Sequence, residues 1–284
     1  MPRIAGLAVA LLMVLGFAMP AAAGENPNDG RIGSTLFATG RIGTVLLAID
    51  VEKGTTTIVG PTGQLGGVAL AITPDGKAAY TVVNAVTGFP AGVNGLDAQL
   101  AKIDLKTGAA KLVGDLMGGN LSVMGMTFAP NGVLYAAGDF NPSSPTFNSL
   151  YTIDLTTGAA TRVGSFDVGL MKSNFIMSFA WDSHGNMYGA SMMSLYKIQR
   201  HRTSNAATKV VDFVGASKVM GIAIGEDGGF YAADFIGPLP AVSRIYALNI
   251  ETGLLTPRVN TGIAFVHNIA FNSERERQPN GEND

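Results

Sequence analysis

The stretch Leu-Tyr-Thr-Ile-Asp-Leu-Thr-Thr-Gly at 150–158 decides the fold, because its pattern returns along the chain. The Ile-Asp element and its closing glycine stand again at 49–54 and 103–108, and 248–253 carries Leu-Asn in place of Ile-Asp. A decayed copy begins at Tyr196. The segments around these elements alternate apolar and polar residues or are wholly apolar, which is typical of β-strands. The sequence therefore predicts repeated β units.

A second repeated element is a tight turn that ends in glycine. It stands as Pro74-Asp75-Gly76, and its later copies end at Gly132, Gly185 and Gly228, so the glycines are separated by 56, 53 and 43 residues. Asp-Gly and Asn-Gly turns favour two-residue hairpins because both residues tolerate positive φ. A period of about fifty residues with four strands per unit predicts β-propeller blades.

The two ends of the repeated region predict how the ring closes. We name the strands of a blade a to d from the axis outward. The region opens at a strand b, Thr35 to Ala38, and ends at a strand a, His267 to Phe271. The last strand should therefore complete the first blade and remove a free sheet edge. The predicted fold is an all-β, five-bladed β-propeller of four-stranded antiparallel blades over 34–272, followed by a disordered polar tail at 273–284.

The N-terminus has the pattern of an export signal. Arg3 precedes an apolar run from Ile4 to Met19, and three alanines at 21–23 form a small-residue cleavage site. We expect a signal peptide at 1–23, a lead-in at 24–33 and a periplasmic or secreted mature protein. No later segment is long and apolar enough to span a bilayer.

Composition excludes several classes of function. Lys plus Arg number 19 and Asp plus Glu number 21, so no basic excess exists to neutralise nucleic-acid phosphates. The absence of cysteine excludes disulfides, thiolate metal sites and cysteine catalysis. The three histidines are well separated and form neither a two-histidine zinc motif nor a Ser–His–Asp pattern. We expect a monomer.

The Leu-Tyr-x-Ile-Asp-x-x-Thr-Gly pattern resembles the repeats of bacterial exported β-propellers of the YVTN and quinoprotein-like superfamily. The resemblance covers about 240 residues and concerns structure. Quinone-binding repeats have a Trp after the next strand, whereas this chain has only Trp181, which stands elsewhere. The resemblance therefore implies the fold without a quinone cofactor.

Polar residues collect where strands b end and strands a begin, and in a propeller these positions share one face around the channel mouth. The long b-to-c connections at 85–97, 140–148 and 236–242 emerge on the same face, and binding residues concentrate on such loops. We predict ligand binding there by six residues: Asn84, Asp139, Asn174, Asp234, His267 and Asn268.

The residues at this mouth raise two alternatives for a bound metal, Ca²⁺ and Cu(I). A weaker similarity to gluconolactonase-like propellers implies a Ca²⁺-assisted hydrolase, with Asp139 and Asp234 as possible oxygen ligands. The asparagine of that family's repeat falls here on five other residues, which removes its main ligands: Val68, Met124, Met177, Met220 and His267. The same ring of thioethers and imidazole suits Cu(I). It equally suits an apolar plug, since methionine fills irregular gaps.

The function predicted from the sequence is that of an exported, non-catalytic β-propeller. It would bind a small ligand or a protein partner on the loop-rich face at the channel mouth. The alternative is a divalent-cation-dependent hydrolase or lactonase-like enzyme with its site at the same mouth.

Overall fold

A computed structural model describes residues 35–41, 43–83, 98–117, 121–139, 144–167, 175–200, 204–216, 218–234 and 242–272. These residues form an all-β fold without an α-helix. Within them no helix has the length and apolar character that crossing a membrane requires. The predicted signal peptide, lead-in and tail lie outside the described residues, as do Asn84 and Asn174.

The strands of the described residues fall into five antiparallel runs of four, which we call units 1 to 5. Unit 1 comprises β20 (Ile269–Phe271), β1 (Thr35–Gly40), β2 (Val45–Asp50) and β3 (Thr55–Pro61). Unit 2 comprises β4 (Leu70–Ile72), β5 (Ala79–Val83), β6 (Gln99–Ile103) and β7 (Ala110–Asp115). Unit 3 comprises β8 (Val123–Phe128), β9 (Leu134–Gly138), β10 (Ser149–Ile153) and β11 (Ala160–Asp167).

Unit 4 comprises β12 (Ser178–Trp181), β13 (Met187–Ala190), β14 (Ser194–Arg200) and β15 (Ser204–Asp212). Unit 5 comprises β16 (Val219–Ile224), β17 (Phe230–Asp234), β18 (Arg244–Leu248) and β19 (Leu255–Asn260). A short parallel pairing of β11 with β15 joins units 3 and 4 into one eight-stranded sheet, while units 1, 2 and 5 are separate four-stranded sheets.

The predicted pairing between the two ends of the repeated region is confirmed. The C-terminal strand β20 pairs antiparallel with β1, with Leu36 opposite Phe271 and Ala38 opposite Ile269. Unit 1 is therefore assembled from both ends of the described chain. This pairing gives β1 a neighbour on each side, so β1 is not a free sheet edge.

The repeated Ile-Asp turn has two structural roles, which explain its sequence. In unit 3, one carboxylate oxygen of Asp154 accepts hydrogen bonds from the backbone N–H groups of Thr156 and Thr157, both at 2.8 Å. Gly158 closes the turn at φ 80° and packs its Cα against the backbone of Gly114 in unit 2. A side chain would collide there, and only glycine adopts this φ without strain. The turn thus caps a hairpin and joins two units.

Comparable joints recur around the fold. Gly108 of unit 2 lies on Gly60 of unit 1, and Gly253 of unit 5 lies on Asp212 of unit 4. Gly54 of unit 1 approaches the carbonyl of Arg258 in unit 5. Between units 3 and 4, where the motif has decayed, the β11–β15 pairing takes this place.

The core lies between the units rather than inside any one of them. One buried apolar cluster fills each junction between units 1 and 2, 2 and 3, 3 and 4, 4 and 5, and 5 and 1. The inner strands contact one another in the cycle β4, β8, β12, β16, β20 and back to β4. Each inner strand thus packs between two neighbouring units, which explains its mainly apolar sequence.

Candidate functional site

A polar hub closes the centre of the inner-strand cycle. Asn268, just before β20, is almost fully buried, and its side-chain amide donates to the carbonyl oxygens of Val68 (3.0 Å) and Met124. Its side-chain oxygen accepts a hydrogen bond from the hydroxyl of Ser178 at 2.8 Å. Both amide hydrogens and the oxygen are therefore bonded inside the protein, and Asn268 has a structural role here.

Ser178 extends this hub to the remaining unit. Its hydroxyl oxygen also accepts a hydrogen bond from the backbone N–H of Ile222 at 3.0 Å. Two side chains therefore link the inner strands of all five units. Buried polar groups linked in this way specify one arrangement, because any other leaves a donor or an acceptor unpaired.

Glycine permits the close approach of the inner strands around the hub. Gly125 and Gly221 occupy the position in β8 and β16 that corresponds to Ser178 and Asn268. A β-carbon at Gly221 would lie 2.5 Å from the carbonyl oxygen of His267, and one at Gly125 would lie 2.7 Å from that of Met177. Strands β8 and β16 therefore carry no side chain where the hub occupies the centre.

An apolar cluster lies at the end of the cycle where the inner strands begin. We call it the mouth cluster: Met124, Phe147, Phe175, Met177, Met192 and Met220. Phe175, Met177 and Met220 are buried, whereas the other three are partly exposed. The rings of Phe147 and Phe175 meet edge to face with centroids 6.3 Å apart. Three of the five residues predicted to surround the axis are thus brought together.

Asp139 fixes the loop that presents Phe147. Its Oδ2 accepts hydrogen bonds from the hydroxyls of Ser144 (2.5 Å) and Thr146, and its backbone carbonyl accepts one from the N–H of Asn148 at 2.7 Å. Asp139 also has a positive φ of 62°. These contacts hold the loop 144–148 in place and explain why a short carboxylate ends β9.

Asn148, which the sequence reasoning did not single out, fixes the other aromatic residue. It is buried, with a positive φ of 53°. Its side-chain oxygen accepts from the N–H of Ile176 at 2.9 Å, and its amide donates to the carbonyl of Phe166 at 3.2 Å. The residue that follows Phe147 therefore anchors the residue that follows Phe175, and the two phenylalanines are held as a pair.

A serine-capped hairpin brings Met192 to the cluster. The hydroxyl of Ser191 accepts the N–H groups of Met193 and Ser194, and the carbonyl of Met192 accepts the N–H of Val219 at 3.1 Å. The hairpin is thereby fastened to the start of β16. Met192 joins the mouth cluster while Met193 is 61% exposed.

His267 holds the equivalent position in unit 1. It is partly buried, and its backbone N–H donates to the backbone carbonyl of Thr39 at 3.3 Å. Desolvation by burial lowers the pKa of His267 to about 4. The imidazole is therefore neutral at pH 7.

Asp234 is bonded within unit 5. Its two carboxylate oxygens accept hydrogen bonds from the backbone N–H of Arg244 and from the hydroxyl of Tyr246, both at 2.7 Å. The residue is almost fully buried, and burial raises its pKa above the usual range despite both hydrogen bonds. Burial also raises the pKa of the Tyr246 hydroxyl.

The four described residues of the predicted site thus differ in surroundings. His267 occupies the inner-strand position equivalent to Met124, Met177 and Met220, and Asp139 is bonded to the loop that carries Phe147. Asp234 and Asn268 have their side-chain oxygens bonded internally. Among the described residues no three His, Asp or Glu side chains converge in a way that could hold a metal ion.

The signals for Ser178, which the sequence analysis did not single out, and for the hub role of Asn268 were present but faint. Ser178 and Asn268 are the polar members of a position otherwise held by Ala69, Gly125 and Gly221. A small residue at every equivalent position indicates close approach, and a polar one among them indicates a partner across the axis.

No known family model matches the chain, and no curated protein matches it. Solved structures that resemble it are β-propeller-like proteins. A chain of a nidogen–laminin complex is 10% identical, with 85% of this chain and 99% of that one covered and a TM-score of 0.51. A structural genomics protein of unknown function from Bacteroides thetaiotaomicron is 15% identical, with 87% and 66% covered and a TM-score of 0.51.

A candidate gluconolactonase is 13% identical, with 84% of this chain and 82% of that one covered and a TM-score of 0.48. At these identities the likeness concerns the fold alone, because propellers carry many unrelated functions on the same scaffold.

Proposed function

We propose that the chain is an exported, non-catalytic, five-bladed β-propeller of the quinoprotein-like kind. It binds a small ligand or a protein partner on the face where its inner strands begin. Five four-stranded units, five apolar junctions and a cycle of five inner strands support the blade count. The signal-like segment at 1–23 supports export.

The observation that carries the proposal is the mouth cluster above the closed hub. Three of its members are partly exposed although all are large and apolar: Met124, Phe147 and Met192. The polar groups of the hub are hydrogen-bonded to the inner strands of the five units. A partly exposed group of thioether and aromatic side chains has the chemistry of a binding site.

The carboxylates at this face support binding over hydrolysis. A hydrolase needs convergent groups that can reach a substrate or a cation. Asp234 instead accepts two bonds from its own unit, and Asp139 positions the Phe147 loop. Their geometry accounts for both residues as loop supports, which are a common use of Asp at strand ends.

The test uses the dye 1-anilinonaphthalene-8-sulfonate, which fluoresces in apolar sites, with the purified folded protein. We expect saturable binding that Phe147→Asp abolishes, because a carboxylate would be placed among apolar groups. Phe147→Leu should retain binding and shows that the loop still folds. The matched control is Leu112→Asp, on the outer strand β7, where the wild-type side chain is 44% exposed.

Equal dye binding by the wild type and Phe147→Asp would contradict the proposal, as would the absence of saturable binding. The hydrolase alternative is tested in parallel with simple lactones and Ca²⁺. Turnover that EDTA abolishes, and that Asp139→Asn or Asp234→Asn removes, would replace the binding proposal with catalysis.

A further inference from the structure

The mouth cluster concentrates sulfur. The chain has 12 methionines, and the cluster gathers four of them: Met124, Met177, Met192 and Met220. Met124, Met177 and Met220 come from three consecutive units at the same position of the inner strand. The five apolar junctions between units use mainly Ala, Leu, Ile, Val and aromatic residues. Four of the eight methionines among the described residues thus lie in the mouth cluster, whereas the junctions between units hold only Met126 and Met187 of these eight.

Backbone contacts place these positions side by side around the ring. Position 125 abuts the carbonyl of Met177, so Met124 and Met177 belong to adjoining strands. Position 221 abuts the carbonyl of His267, so Met220 and His267 also adjoin. The Asn268 amide reaches the carbonyl of Met124 across the centre. The order around the ring is therefore Met124, Met177, Met220, His267.

The chemistry of this set selects a soft cation. Thioethers are soft ligands that bind Cu(I) and bind hard cations such as Ca²⁺ poorly. Imidazole nitrogen is also a copper ligand.

We propose that the thioethers of Met124, Met177 and Met220, with the imidazole of His267, bind one Cu(I) ion at the mouth of the ring. Met192 lies in the same cluster and supplies a fourth thioether that can close the site. This inference deepens the proposed function by naming the ligand class, and it rests on that function. The binding involves no change of oxidation state, because the ion enters and stays as Cu(I).

The competing interpretation is an apolar plug. Methionine also fills irregular gaps, so packing alone does not separate the two. The plug and the Cu(I) site predict different effects of replacing methionine by leucine. Met→Leu conserves volume and apolar character, so a plug tolerates it with little loss of stability. A thioether ligand set loses its donor atoms.

The experiment is an anaerobic titration of the purified protein with Cu(I) in competition with bicinchoninate. We expect binding of one ion per chain. Met177→Leu should weaken it by at least about tenfold, the loss that even a second-shell partner of a metal ligand produces. The triple variant Met124→Leu, Met177→Leu, Met220→Leu should abolish binding, and His267→Gln should weaken it.

The matched control is Met126→Leu. Met126 lies on the same strand as Met124 and is buried, but it packs in the junction between units 2 and 3. It should leave Cu(I) affinity unchanged. Methyl-¹³C methionine spectra give a second readout, because Ag(I), a redox-inert substitute, should shift the cluster methyl signals and leave that of Met126 in place.

Cu(I) binding that survives the triple variant would overturn the proposal, as would the absence of binding by the wild type. Dye binding separates this failure from failure of the proposed function. If the dye binds through Phe147 while Cu(I) does not bind, the face binds a ligand of another class. If neither binds, both proposals fail.

Discussion

Removing the side chain of Asn268 should destabilise the whole ring. In Asn268→Ala the carbonyls of Val68 and Met124 lose their shared donor, and Ser178 loses its acceptor. These groups lie on the inner strands of three different units, so local relaxation in one unit cannot repair all three. We therefore expect a cooperative loss of stability rather than local fraying.

The size of the effect follows from the hydrogen bonds. A buried polar group left without its partner costs about 1–3 kcal/mol, so the two carbonyls together give about 2–6 kcal/mol. That is a large part of the roughly 5–15 kcal/mol by which native proteins are stable. The hydroxyl of Ser178 can rotate and recover part of its own loss.

Urea denaturation followed by circular dichroism measures the free energy of unfolding. A double-mutant cycle of Asn268→Ala with Ser178→Ala should show a coupling of about 0.5–3 kcal/mol, because the two side chains bond directly. The control is Asn186→Ala, since Asn186 bonds only locally to Asp182 in a hairpin turn. A loss below about 1 kcal/mol for Asn268→Ala, or no coupling, would refute the hub.

Truncation after Val266 should unfold or aggregate the protein, because it removes β20 and exposes β1 as an edge; a monomeric, cooperatively folded product in sedimentation and thermal melts would contradict this. Asp234→Asn should gain stability relative to the wild type as pH rises above 3.8, since the folded pKa is raised and the native state then holds an unfavourable buried charge. Urea titrations from pH 4 to pH 7 test that trend, and a constant difference would count against it. Gly221→Ala should cost about 1–3 kcal/mol, because its β-carbon would meet the carbonyl of His267, and an unchanged melting temperature would show that the strands are not so close.

The local β structure was predictable because turn chemistry and strand period are local properties. The Asp154 turn and the hairpin at Gly132 carry their own signals in a few residues. The pairing of β20 with β1 was also predictable, since the repeat phase leaves one strand b and one strand a unpaired at opposite ends. The repeat itself thus determined the local architecture.

The roles of the mouth residues were not predictable from single positions. The sequence indicated that Met124, Met177 and Met220 share one ring position, and the structure brings them into one cluster. Only the small residues at the next position, a faint signal, indicated that Asn268 and Ser178 close the axis. Successive strand residues face opposite sides, so a shift by one residue changes which side chain reaches the centre.

By itself the sequence determined a repeated β architecture and the phase of its strands. Only the tertiary structure decided that Asp139 supports the Phe147 loop, that Asp234 is bonded within its own unit and that Met192 joins the mouth cluster. The physical reason is that turns and strand periods are encoded within a few consecutive residues. Burial, hydrogen-bond partners and pKa values instead depend on groups that are distant in sequence and meet only when the units pack around the axis.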